Sequence, residues 1–188
     1  LEALATALAA PAADCVVEVD GGISLTRPAV HFRPVVHAFN WRETFAGKPV
    51  RDRPAGAFDI RIAEGQSLRG SVSAEAAEGG AVRVAYAFES DSDLEVDARC
   101  VSAELAATAI GGGTWTADDK SGAVPRDIQR DKIHLFTGTV KHFRIEGPAG
   151  GGFALDLAFD EPTWILLQDS RKWGGEAFTL RIAPPGDN

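Results

Sequence analysis

The sequence predicts an all-β protein, a two-sheet antiparallel β-sandwich of jelly-roll-like type. Three observations carry this prediction. Apolar and polar residues alternate with period two in run after run, clusters of turn-forming residues separate the runs, and amphipathic helical spacing is almost absent. The alternation is clearest over residues 152–183. Phe153, Leu155, Leu157 and Phe159 alternate with Ala154, Asp156, Ala158 and Asp160, and Phe178, Leu180 and Ile182 alternate with Ala177, Thr179 and Arg181. Between them Trp164 to Leu167 is apolar at every position, as expected of a central strand covered on both faces. With Glu161-Pro162 as a break and Asp169 to Gly175 as a loop, the stretch is expected to form a three-stranded antiparallel meander.

From the start of the chain, Leu1, Leu4 and Leu8 lie at helical spacing in an Ala-rich segment that Pro11 ends, so residues 1–13 are expected to be an N-terminal extension or short helix. Cys15, Val17 and Val19, then Ile23 and Leu25 across Gly21-Gly22, predict a hairpin. Val30 to Phe39 reads as a strand that Pro34 confines to an edge or a bulge. Residues 40–57, with Trp41 and Phe45, lack periodicity and read as a long surface loop of the kind that carries function. Phe58, Ile60 and Ile62 restart the alternation. Leu68, Val72 and Ala74 then face Val82, Val84, Tyr86 and Phe88 across Glu78-Gly79-Gly80.

Leu94, Val96, Ala98 and Cys100 share one parity and Val101, Ala103 and Leu105 the other, which predicts a bulge near Cys100. Residues 111–131 form a second irregular segment. Ile133, Leu135, Phe143 and Ile145 mark one long strand or two short ones. Residues 14–183 are therefore expected to be a single domain of ten or eleven strands, with 184–188 a linker-like tail.

A chain of 188 residues suffices for one sizeable core. Its net charge of −8, with no run among 19 Lys and Arg, argues against nucleic acid as a partner. No apolar stretch approaches the roughly 20 residues that cross a bilayer, so membrane insertion is not expected. The chain has no Met and begins at Leu1, as a trimmed or processed product would, with any signal peptide upstream. Cys15 and Cys100 would close a long loop as a disulfide in an exported protein, contributing on the order of 4 kcal/mol. They serve equally as two small buried apolar side chains, and their spacing does not choose.

For metals, His31 with His37 and His134 with His142 share parity along their strands, but extended chain separates each pair by roughly 20 Å or more, too far to grip one zinc ion. Asp91-Ser92-Asp93 resembles a calcium loop, yet Val96 and Ser102 stand where an EF-hand needs Gly and a bidentate Glu. A calcium site of another kind at Asp91 and Asp93 stays open beside a solvated acidic turn. No G-x-S-x-G, H-E-x-x-H or activated Cys is present, and Asp118-Asp119 and Asp160-Glu161 read as turn formers. Neither a cofactor nor a catalytic residue is expected from these patterns.

Aromatic side chains on irregular segments remain. Trp173 sits in Asp169-Ser170-Arg171-Lys172-Trp173-Gly174-Gly175, and Trp41 and Trp115 lie on the two unpatterned segments. A flat indole accepts the C–H face of a sugar while neighbouring carboxylates, amides and guanidinium groups take its hydroxyls. This makes Trp173, Trp41 and Trp115 candidate platforms, with Arg171, Asp169 and Gln168 as candidate hydroxyl partners. The alternative is that these indoles cap the open ends of the sandwich. Trp164, among apolar neighbours, is expected in the core.

Gly112-Gly113-Thr114-Trp115, Val124-Pro125, Leu167-Gln168-Asp169-Ser170-Arg171, Trp173 and Phe178-Thr179-Leu180-Arg181-Ile182 together resemble the non-catalytic β-sandwich accessory domains of bacterial glycoside hydrolases, over about residues 80–183. The resemblance implies a secreted, periplasmic or cell-surface location, a neighbouring catalytic domain as partner, and glycan binding or a supporting role. A carbohydrate-binding or accessory module predicts that at least two tryptophans share a concave exposed surface. A structural sandwich that mediates domain or subunit contacts predicts a flat apolar patch instead. A small jelly-roll hydrolase or lyase requires carboxylates or a Lys, Tyr or His group converging in a cleft.

Overall fold

The computed structural model describes residues 14–90 and 94–184, together with the backbone of residues 2–8. Fifteen strands run through them. The first group is β1 (Glu2–Leu8), β2 (Cys15–Val17), β3 (Ile23–Thr26), β4 (Ala29–Ala38), β5 (Glu43–Ala46) and β6 (Lys48–Pro49). Next come β7 (Ala57–Ala63), β8 (Gln66–Ala76), β9 (Val82–Ser90), β10 (Ala98–Ala106), β11 (Thr114–Ala117) and β12 (Lys120–Ala123). The chain ends in β13 (His134–Glu146), β14 (Ala154–Asp169) and β15 (Ala177–Ala183). Both segments expected to be irregular, 40–57 and 111–131, hold short strands.

These strands make two antiparallel sheets, so the all-β sandwich is the fold; the strand order stops short of establishing a jelly roll. The first sheet runs β2-β3-β4-β10-β15 and continues through the second half of β14 into the first half of β13. The second runs β6-β7-β8-β9-β1 and continues through the first half of β14 into the second half of β13, then β11 and β12. Both long strands thus belong to both layers. The corner is a register slip in which Val140 opposes Thr163 while His142 opposes Ala158. Pro162 falls inside this bulge, where its missing N–H removes no ladder bond. Glu161-Pro162 therefore bends one continuous strand rather than dividing two, which corrects the expected three-stranded meander. The Asp118 carboxylate accepts the backbone N–H groups of Lys141 and His142 at 3.2 and 2.9 Å, serving donors at the corner.

Other expectations give way to pairing. The first residues form a strand, not a helix: β1 pairs along its length with β9 and at its end with β14. Ladder bonds on both sides override the helical propensity of an Ala-rich segment, because tertiary pairing outweighs local preference. Pro34 lies within β4, which is not an edge. It falls between the residues paired to β3 and those paired to β5, and its carbonyl accepts the Gly47 N–H at 3.0 Å. No bulge interrupts β10; its register against β4 and β15 is continuous. The shift of apolar parity at Cys100 arises because both faces are covered.

On the inner faces Phe58, Phe143, Phe178, Leu157, Ile165, Leu167 and Leu180 belong to one core, each such burial contributing about 1.5–3 kcal/mol. The layers touch closely at Gly21, whose φ is 82° and where a Cβ would lie 2.1 Å from the Phe58 ring. On the outer face of the first sheet Val35, Cys100 and Ala183 form a second small cluster, with Trp164 and Ala46 against it. Cys15 packs on the main core and Cys100 in this outer cluster, and no disulfide joins them.

Candidate functional site

That outer face carries a groove of about 760 Å³. Because Ile165 and Leu167 point into the core, the alternate residues Trp164, Leu166 and Gln168 of β14 face outward. Register then sets their neighbours. Leu166 lies beside Arg181 of β15 on one side and Thr137 of β13 on the other, and Gln168 lies beside His134. His37 enters from β4 at the outward parity of Val35. Together these residues make the floor.

Two indoles form the walls. Trp41 is 50% exposed and Trp173 61%, and both line the groove. Trp41 sits in the turn joining β4 to β5, where Phe39, Asn40 and Trp41 have φ values of 59°, 59° and 61°. Three consecutive non-glycine residues in the left-handed region cost roughly 1–2 kcal/mol each, so surrounding contacts must hold them. The Trp41 N–H donates to Asp97 Oδ2 at 2.9 Å, and its ring stacks on His37 at 4.9 Å between centroids. The Arg181 guanidinium lies 5.8 Å from the same ring. Trp173 ends the short 3₁₀ turn Ser170–Trp173, which Asp169 caps by accepting the Arg171 N–H and which Gly174 closes at φ 86°. The Lys172 ammonium stands 6.0 Å from the Trp173 ring.

His37 is buried, and its Nδ1 shares a 2.9 Å hydrogen bond with the Thr44 hydroxyl. Its Nε2 is buried without a hydrogen-bond partner among the described residues, as is Nε of Arg181. Burial, reinforced by the Arg181 charge and opposed by Asp97, holds the His37 pKa down at about 4. The imidazole is therefore neutral near pH 7. Burial also lowers the Arg181 pKa, with Cys100 opposing. Among the described residues that line the groove there is no carboxylate.

A pH dependence follows from His37. Its folded pKa lies below the usual 6.5, so between pH 6.5 and about 4 the unfolded chain binds a proton that the folded protein refuses. Stability is full above pH 6.5 and falls as pH drops toward 4, by on the order of 2 kcal/mol. Urea midpoints measured from pH 7 to 4.5 should decline less steeply in His37→Gln than in the parent. Equal slopes would refute the assignment.

Of the candidates named from sequence, Trp41, Trp173 and Gln168 meet at this groove. Trp115 does not. It lies on β11, only 9% exposed, with its ring 5.1 Å from that of Phe136 in the core. Asp169 and Arg171 are spent internally. Asp169 is fully buried and accepts from Arg171 Nε and Nη2 at 2.8 Å each. Arg171 also donates to the carbonyls of Pro125 and Arg126 and lies 4.5 Å over the Phe178 ring. Trp164, expected in the core, lines the groove instead, because its neighbour in register, Ala183, leaves the outer face open.

Sequence reasoning missed His37, Arg181 and Trp164. Arg181 is the polar member of the alternation Leu180, Arg181, Ile182, so its outward direction was legible, but only strand register joins it to Trp41. His31 pairs instead with Ser24 at 3.0 Å and His142 with Asp156 at 2.5 Å. Among the described residues no group of three or more His, Cys, Asp or Glu is placed to hold a metal ion. Asp91 and Asp93 lie outside the described residues.

No family model, curated protein or solved structure matches the chain. The groove is lined by three indoles, two of them half exposed or more, with a guanidinium, an amide and a neutral imidazole. Such a set can stack on rings and hydrogen-bond to hydroxyls and anions.

Proposed function

We propose that the chain is a carbohydrate-associated binding or accessory module of an exported bacterial protein, working beside a catalytic domain. The observation that supports this reading is that Trp41 and Trp173, both half exposed or more, bound one groove whose floor carries Gln168, Arg181 and His37. Apolar walls with a few convergent polar groups suit a sugar ring, with its apolar C–H face and hydroxyl edge. A sandwich serving only as a contact surface would set its indoles in a flat apolar patch. Holding Trp41 in a left-handed turn has a cost that a mere contact surface does not require.

The test is intrinsic tryptophan fluorescence titrated with soluble plant, algal and host glycans. A saturable shift is expected for at least one glycan. Trp173→Ala and Trp41→Ala should each weaken that binding about tenfold or more, the loss of an aromatic anchor. No response to any glycan from folded protein would remove autonomous sugar binding.

A further inference from the structure

We propose that the groove takes an acidic glycan, with Arg181 pairing the carboxylate of a uronate residue; this rests on the saccharide-binding reading above. Arg181 is a half-buried cation with no acidic partner among the described residues. Arg27 pairs with Asp14, Arg144 with Asp156 and Glu146, and Arg171 with Asp169. Arg181 is half buried, yet its polar contact is a 3.5 Å approach of Nη1 to the neutral amide oxygen of Gln168, at the limit of a hydrogen bond. Its Nε is buried and unpartnered. A guanidinium withdrawn from water is costly without an anion, and its planar fork fits a carboxylate in two-point fashion.

The surroundings keep the place of that anion vacant of the protein's own acids. Although the chain holds 27 Asp and Glu, none is among the described residues lining this groove. Asp97, which holds the Trp41 N–H, serves the turn beneath the indole. Lys172, beside Trp173, adds a second cation at the rim. His37 Nδ1 shares its hydrogen bond with the Thr44 hydroxyl, and its Nε2 is a second buried nitrogen of the floor without a partner among the described residues. The guanidinium lies over the Trp41 ring, 5.8 Å from its centre, and lines the same groove as Trp173, so the carboxylate of a uronate entering the groove between the two indoles meets Arg181.

The experiment compares short oligosaccharides of galacturonate, mannuronate and glucuronate with the same oligosaccharides after carboxyl reduction, by calorimetry on the full chain at pH 7. At least one uronate series should bind. Reduction should weaken that binding tenfold or more, and Arg181→Gln should reproduce the loss while Arg181→Lys retains part of the affinity. Reduced and acidic forms binding the parent equally would overturn the acidic assignment and leave sugar binding standing. Binding unchanged in Arg181→Gln would do the same. Binding of neither form would overturn the acidic assignment, and the glycan titration above then decides sugar binding by itself. The reduction arm uses the parent protein, so it decides the matter even if a variant fails to fold.

Discussion

Replacing Arg171 by alanine is expected to lower the unfolding free energy by about 3 kcal/mol, the cost of leaving a buried charge uncompensated. Asp169 is the charge in question, fully buried at the end of β14 with both carboxylate oxygens held by the Arg171 guanidinium. The substitution also frees the carbonyls of Pro125 and Arg126 and removes the cation from the Phe178 ring. The check is the urea midpoint at unchanged slope, or a fall in Tm of about 10 °C. A change below about 1 kcal/mol would mean that the pair behaves as an exposed ion pair. The same residues support the 3₁₀ turn that carries Trp173, so Arg171 and Asp169 shape the groove from behind rather than touching its contents.

Trp115→Ala should be at least as damaging, at about 3–5 kcal/mol, through the cavity left by a large core ring. Its indole lies against Phe136 from one side, and on the neighbouring strand Gly122 makes room for it, since a Cβ there would come within 2.5 Å of the ring. Trp41→Ala and Trp173→Ala, by contrast, should change stability by less than about 1 kcal/mol, as substitutions of exposed side chains do. Thermal unfolding of the three variants separates the tryptophan that builds the sandwich from the two that face the groove. A Trp115→Ala protein as stable as the parent would place that indole outside the core.

The architecture was readable wherever one face of a strand is wet. The runs at 153–159 and 178–182 alternate because one side meets the core and the other does not. Reading failed where both faces are covered or where pairing partners are remote. Cys100 broke the alternation of β10 because an outer cluster buries it beside Ala183 and Val35. Trp164 looked like a core residue for the same reason, its apolar neighbours alternating between two different apolar surroundings. Glu161-Pro162 looked like an end because a bulge and a turn use the same residues. At the groove, the exposed tryptophans of two turns were visible as aromatics without a periodic role. Their meeting was not, because His37, Gln168 and Arg181 come together only through the registers of β4, β10, β15 and β14.

The position of β1 carries a consequence for the order of assembly. It lies between β9 and the first half of β14, and pairs Thr6 with Val84 on one side and with Phe159 on the other. The opening strand is thus enclosed by strands from the middle and the last fifth of the chain. Contacts so distant in sequence make loop closure expensive and folding slow compared with a protein of local hairpins. On a ribosome β1 emerges before both of its neighbours, and it cannot acquire the second of them until the chain has been synthesised through β14.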